Sequence, residues 1–178
     1  MQRERASILI DGSNFYFKLR DLRLHQLLTF NFSHFAQALI GNRALVQACY
    51  YVGKVRTDGT PKAEQMQANQ QRLFAHLSKH HFTYSLGYLL KSNGVFQEKG
   101  VDVNIAVDML VASYEHLCDR LYLVSSDTDL IPAITKAQEK GTPVNYVAFS
   151  HQVSKALVAA CRETQTFTKD ALLPFLEM

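Results

Sequence analysis

Three aspartates stand where apolar runs of the chain break off and a fourth opens a helical stretch, and carboxylates in such places can ligate a hard divalent cation. Asp11 directly follows Ala6-Ser7-Ile8-Leu9-Ile10. Asp127 and Asp129 follow the run Leu121 to Val124, in Ser125-Ser126-Asp127-Thr128-Asp129, and Asp102 opens a helical stretch within Glu98-Lys99-Gly100-Val101-Asp102. Two carboxylates about 4 Å apart repel by roughly 4 kcal/mol at an effective dielectric near 20, so converging carboxylates must share a proton or a metal. Oxygen donors without Cys or His favour Mg²⁺ or Mn²⁺ over Zn²⁺. The seven histidines are dispersed, and His80-His81 lacks zinc-ligand spacing. Each aspartate also has a plainer role available. Asp129 would cap the helix beginning at Leu130, and Asp102 would cap its own helix or favour its positive end. The joint placement of all four is what favours a site.

Positioning them requires strands that end side by side. After the first strand, Phe15 to Leu22 begins a helix. Phe32, Phe35, Ala36, Leu39 and Ile40 fall at helical spacing between a cap at Asn31 and a stop at Gly41. A strand from Ala44 to Val52, a polar loop, an amphipathic helix from Lys62 to His80 and a strand from Phe82 to Leu90 follow. Ser92-Asn93-Gly94 supplies turn chemistry, so Val95-Phe96-Gln97 folds back as a hairpin arm. The helix from Asp102 is read with Val103, Val107, Leu110, Val111, Tyr114 and Leu117 as its core stripe. Leu121 to Val124 and Pro143 to Phe149 are strands around a helix from Asp129 to Lys140. Ser150 caps a helix through Cys161, and Asp170 to Leu176 forms a last one. This alternation predicts a three-layer α/β domain, with a mainly parallel central sheet flanked by helices. Ligands of such sheets collect at the carboxyl ends of the strands where the winding reverses. If the strands ending at Asp11 and Val124 are neighbours, the carboxylates converge there.

The 178 residues fit one domain, 1–178, with the chemistry-bearing motifs in about 6–149 and C-terminal helices in 150–178. With 47% hydrophobic and 20% charged residues, the chain can bury a core and is not a disordered polyelectrolyte. A net charge of +3 permits contact with a polyanion without demanding it. Cys49, Cys118 and Cys161 are scattered, as suits a reducing compartment, and no apolar run has the length of a membrane span. The expected address is the cytoplasm.

Taken in order, Ile8-Leu9-Ile10-Asp11-Gly12-Ser13-Asn14-Phe15, Lys99-Gly100-Val101-Asp102-Val103 and Val124-Ser125-Ser126-Asp127-Thr128-Asp129-Leu130 closely resemble the NYN domain family, and most its LabA-like bacterial branch, within the PIN-like nuclease group. The resemblance implies a PIN-like fold, an acidic Mg²⁺ or Mn²⁺ centre and cleavage of RNA by water. On it, Asp11, Asp102, Asp127 and Asp129 are catalytic metal ligands, and Asn14 and Ser126 are supporting polar residues. Asp108 also matches an often acidic position, yet six residues from Asp102 it lies about 240° round a helix and off that face, which leaves it a supporting role at most. Lys99 could meet the phosphate. Arg20, Arg23, Lys54, Arg56, Lys62 and Lys91 are candidates to steer an RNA backbone. Tyr16, Phe17, Tyr88 and Phe96 could stack on bases, although their apolar neighbours favour ordinary core packing. The arm near Asn93 is a candidate homodimer contact.

A rival from another class is a non-catalytic RNA- or protein-binding module using the same acidic cleft. An aspartyl phosphatase is disfavoured because position 13 is Ser13 and not a second acid. A dinucleotide-binding enzyme is disfavoured because Asp11-Gly12-Ser13-Asn14 lacks the G-x-G-x-x-G turn.

Overall fold

A computed structural model describes residues 3–92 and 95–177, the side chains of residues 91, 92, 95 and 96 excepted. Seven strands form one sheet: β1 (Arg5–Asp11), β2 (Ala44–Lys54), β3 (Thr83–Ser92), β4 (Val95–Lys99), β5 (Arg120–Val124), β6 (Val144–Phe149) and β7 (Glu163–Phe167). Their order is β4-β3-β2-β1-β5-β6-β7, and only the β3–β4 pair is antiparallel. The chain winds outward from β1 through β2 and β3 on one side, then returns to β1's other side with β5. The winding therefore reverses between β1 and β5, where Ile10 lies opposite Val124. This is the place where open α/β sheets present a crevice.

Helices cover both faces, as the alternation predicts. They are α1 (Gly12–Asp21), α2 (Phe32–Ile40), α3 (Pro61–Lys79), α4 (Val101–Tyr114), α5 (Ile131–Glu139), α6 (Lys155–Ala160) and α7 (Lys169–Leu172). The even residues Ile8, Ile10 and Tyr50 face a core filled by Phe15, Phe35, Phe74 and Leu172 from α1, α2, α3 and α7, with Phe30 and Phe32. The odd residues Leu9, Cys49 and Tyr51 face a second core with Ile105, Ile134 and Leu157 from α4, α5 and α6. A strand with apolar residues on both alternating faces can only sit in such a sandwich of layers. Local chemistry sets the helix ends. Asn31 Oδ1 accepts the His34 N–H at 2.9 Å, and Gly41 ends α2 at φ +60°. Thr60 caps α3, whose first residue is Pro61.

Three expectations are corrected. The stripe Val103, Val107, Val111, Tyr114 and Leu117 is exposed, and α4 instead buries Val101, Ile105, Met109 and Ala112. Both stripes have helical spacing, so periodicity cannot choose between them. Ser150 does not start a helix. Ser154 does, its side chain accepting the Leu157 N–H, and α6 ends at Ala160. The C-terminal segment 150–178 is then not all helical, because β7 adds an edge strand parallel to β6. Asn93 and Gly94, read as the hairpin turn and dimer contact, lie outside the described residues. None of the described helices is long and apolar enough to cross a membrane.

Candidate metal and phosphate site

Asp11 ends β1 and at once caps α1, because its Oδ1 accepts the Asn14 N–H at 3.1 Å. Its Oδ2 accepts the Ser125 hydroxyl at 2.8 Å. Ser125 Oγ in turn accepts the Asp127 N–H at 3.1 Å, and Asp127 Oδ1 accepts the Asp129 N–H at 2.9 Å, capping the 3₁₀ turn Thr128–Leu130. The ends of β1 and β5 are thus tied by side chains as well as by the sheet. Gly12 makes the sharp exit from β1 possible: a Cβ there would come within 2.3 Å of the Tyr50 ring and 2.7 Å of the Tyr51 carbonyl oxygen.

Asp102 reaches the same end of the sheet by another route. β4 runs antiparallel to β3 and finishes at Lys99, opposite Tyr88. Tyr88 is opposite Lys54, three residues beyond the Tyr51 that lies beside Asp11. The helix α4 therefore starts at the carboxyl end of the parallel strands and packs against β1, β2, β3, α5 and the 128–130 turn. Gly87 admits that start, since a Cβ would meet the Lys99 carbonyl oxygen at 2.5 Å and Val101 Cγ2 at 2.6 Å. Asp102 lies in the first turn of α4, whose N-cap is Gly100 with no side-chain capping bond.

The capping roles fall on a different pair from the one the sequence suggests. Asp11 and Asp127 cap, whereas the Asp102 and Asp129 carboxylates accept no hydrogen bond and form no ion pair among the described residues.

A carboxylate outside the expected set joins this edge. Glu98 Oε2 accepts the Gly53 N–H at 2.7 Å and the Ser13 hydroxyl at 2.9 Å. It is one residue before Lys99, but its partners lie 45 and 85 positions away, so no local spacing marks it. Of the two adjacent serines, Ser125 holds the aspartates, although the motif points to Ser126. The structure places Ser126 elsewhere. Its N–H donates to Asn14 Oδ1 at 3.2 Å, and its hydroxyl pairs with Tyr146 Oη at 2.8 Å. Asn14 thus braces the β5 end, leaving its amide nitrogen without a partner among the described residues.

Burial pushes the Asp11 carboxyl up to about 6, and the negative charges of Glu98 and Asp127 add to the rise, while the Asn14 N–H and Ser125 hydroxyl oppose it. A buried carboxylate crowded by two others is a place that a cation would relieve. No three His, Cys, Asp or Glu side chains among the described residues come together closely enough to form a full ligand set. The donors still fit a hard ion, because Mg²⁺ keeps several waters and is commonly held by one or two carboxylates. Asp11 and Asp127, joined through Ser125, could offer such a pair, and every candidate donor is oxygen.

The remaining candidates separate by position. Asp108 accepts from Tyr51 Oη at 2.8 Å and, among the described residues, shares no hydrogen bond with the other four candidate aspartates. Lys99, Lys54, Arg56 and Lys62 are exposed, without ion pairs among the described residues, near the ends of β4 and β2 and the start of α3. Arg20 stands over the Phe17 ring at 4.6 Å, and exposed Arg23 follows α1. The Lys91 and Phe96 side chains lie outside the described residues. The core-packing expectation fails for Phe17 and Tyr88, which are 49% and 47% exposed, and Tyr16 is only half-buried.

A solved structure of a protein of unknown function from Vibrio parahaemolyticus resembles this chain with a TM-score of 0.66 and 21% identity, over 93% of this chain and 94% of its own. That likeness supports the fold. The bacteriophage T5 D15 flap endonuclease, in a pseudo-enzyme–product complex with DNA and metal ions, aligns at a TM-score of 0.43 and 16% identity, over 80% of this chain and 55% of its own, a likeness too remote to locate a site. No curated protein matches. The family model of the NYN domain matches residues 5–169, nearly the whole chain. The chain belongs to the NYN domain family.

Proposed function

We propose that this protein is a divalent-metal-dependent ribonuclease that hydrolyses RNA phosphodiester bonds, of the PIN-like kind that the LabA-like resemblance implies. One observation carries the reading: the buried Asp11 carboxylate, at the point where the sheet reverses its winding, is flanked by Asp127 and Glu98 and tied to β5 through Ser125. Asp11 and Asp127 would hold Mg²⁺ or Mn²⁺, with Asp102 and Asp129 holding water ligands. When bound, the ion neutralises charge on a phosphate oxygen and lowers the pKa of the attacking water.

The chain's own groups then divide the remaining work. Ser125 fixes the Asp11 carboxylate by donating to it, which leaves that carboxylate's rotamer set before any ligand arrives. Asn14, its carbonyl oxygen occupied by Ser126, has amide hydrogens to donate to a phosphate oxygen. Lys99 and Lys54 can supply positive charge to the backbone on either side of the scissile bond.

The test is incubation of the protein with single-stranded and hairpin RNAs in Mn²⁺, Mg²⁺ or EDTA. Shortened RNA is expected with a divalent ion alone, and Asp11→Asn should bind RNA without cutting it. Tight binding by the wild type with no product under any divalent ion would favour the non-catalytic module.

A further inference from the structure

Beside the acidic edge, on the face of the sheet that carries α1 and α3, lies a cavity of about 670 Å³. Tyr16, Phe17, Leu28, Val52, Met66 and Leu73 line it, and so do Gly12 and Ser13, the two residues that follow Asp11. It therefore borders the acidic edge through Ser13, whose hydroxyl donates to Glu98, although no carboxylate lines it. Its size lies in the usual range of small-ligand pockets, roughly 300–1,000 Å³. Three large apolar side chains that converge on it stay open to solvent: Phe17 at 49%, Leu28 at 45% and Met66 at 38%. Scattered exposed apolar residues need no explanation, but a set sharing one concavity marks a binding place.

The surroundings narrow the occupant. Tyr16 and Phe17 offer flat π faces, with the Arg20 guanidinium already on one side of Phe17. Asn69, also in the lining, accepts from Gln65 through Oδ1 but has no partner for its amide nitrogen among the described residues. Lys54 and Arg56 flank the lining residue Val55, and Lys62 lies one helical turn before Met66. All three are exposed cations in no ion pair among the described residues. His25 and Gln26 also line it with side chains that make no hydrogen bond among the described residues, and an apolar slot with ring faces, free polar edges and a cationic rim complements a heterocyclic base on a phosphate chain. Neither a wholly apolar ligand nor an acidic peptide would use all three features.

We infer that this cavity receives an unpaired nucleobase next to the scissile phosphate, which makes single-stranded RNA the substrate class. The inference rests on the nuclease reading above. A base held in a duplex would first have to leave its stack and its pair, so duplex RNA is disfavoured by that added penalty. Stacking on rings tolerates any base, so little sequence preference is expected.

The test uses a labelled ten-nucleotide RNA, its duplex, and a series with one abasic ribose placed at each position in turn. Binding is read by fluorescence anisotropy in EDTA and cleavage separately in Mn²⁺. The single strand should bind at least ten-fold tighter than the duplex. Tyr16→Ala, Phe17→Ala and Met66→Lys should each weaken it roughly 5- to 100-fold. One abasic position should reproduce that loss in the wild type and add little in Phe17→Ala, a non-additivity that a merely loosened fold would not produce. Phe17 and Met66 are solvent-facing, so those two variants remain informative if Tyr16→Ala unfolds. Metal-dependent cutting with a flat abasic series, or equal binding of both RNA forms, would overturn the base pocket and leave the nuclease standing. No RNA binding and no product with any divalent ion would overturn both.

Discussion

The two pairs of candidate aspartates look alike in sequence and differ in what holds them. Asp11 and Asp127 are pinned: each accepts a backbone N–H two or three residues on, and Ser125 links them across β1 and β5. Asp102 and Asp129 sit in the first turns of a helix and a 3₁₀ turn with carboxylates that no described residue engages. Capping a helix and binding an ion are thus not competing explanations. A cap fixes the rotamer of a carboxylate and leaves it lone pairs to spare, which is preorganisation for a ligand. The uncapped pair has no such constraint among the described residues.

That contrast sets the largest expected effect. Removing charge from the pinned pair removes several kcal/mol of transition-state stabilisation, so Asp11→Asn and Asp127→Asn should lower kcat/KM by about 10³-fold or more. Asp102→Asn and Asp129→Asn, acting through waters, should cost roughly 10- to 100-fold. Initial rates of RNA cleavage with Mn²⁺ decide it. Equal losses at all four positions would erase the distinction, and full activity in Asp127→Asn would remove that residue from the site.

The next effect is on stability and needs no metal. In the folded protein the Asp11 carboxyl titrates near 6, above the 3.8 of an unperturbed Asp, chiefly because it is buried. Its protonated form therefore stabilises the fold fully below the unfolded value. That contribution fades as pH rises through about 6. The shift corresponds to about 3 kcal/mol. In EDTA, the wild type should lose several degrees in Tm relative to Asp11→Asn between pH 4 and pH 7. Parallel Tm profiles for the two proteins would show that the crowding at Asp11 is relieved without an ion.

Legibility in the sequence follows the range of the interactions. Alternating apolar runs on β1, β2 and β5 carry both faces of the sheet, so the layered class can be read directly, and Asn31 and Gly41 mark α2 because capping is local. β7 is hidden: in Glu163-Thr164-Gln165-Thr166-Phe167 only Phe167 is buried, and an edge strand with one buried side chain leaves no periodic trace. In α4, Val103-Val107-Val111 and Val101-Ile105-Met109 repeat with the same spacing two residues apart, and only packing on the sheet selects the second. The four candidate aspartates can be picked out in the sequence by their places after strands and at a helix start, while Glu98 and Ser125 depend on partners that only the folded sheet brings near.

Ser125 offers a finer test of the pinned pair. Ser125→Ala deletes both the hydroxyl donated to Asp11 and the acceptor of the Asp127 N–H. The two carboxylates stay in the cleft but lose their mutual brace, so activity should fall roughly 10- to 100-fold. The loss should appear in kcat more than in RNA affinity, and Ser125→Thr, which keeps the hydroxyl, should restore part of it. A change in RNA affinity alone would mean that Ser125 contacts the nucleic acid instead.

The smallest effect is expected at the fifth aspartate. Asp108 lies six residues after Asp102, about 9 Å further along α4 at 1.5 Å per residue. Its carboxylate is occupied by the Tyr51 hydroxyl at 2.8 Å, and Tyr51 is buried in the core beneath α4. The contact locks α4 to β2 at one point below the cleft and has no continuation to Asp11 or Asp127 through hydrogen bonds of the described residues. Asp108→Asn preserves an acceptor for Tyr51 and removes only a charge, so cleavage should stay within about two-fold of wild type. Asp108→Ala strands a buried hydroxyl and should destabilise the fold by about 1–3 kcal/mol, again with little effect on the rate of the folded fraction. Measuring both variants by denaturant melts and by initial rates separates the roles. If Asp108→Asn behaves like Asp127→Asn, the ion is held deeper along α4 than the ends of β1 and β5, and the pinned pair is not its anchor.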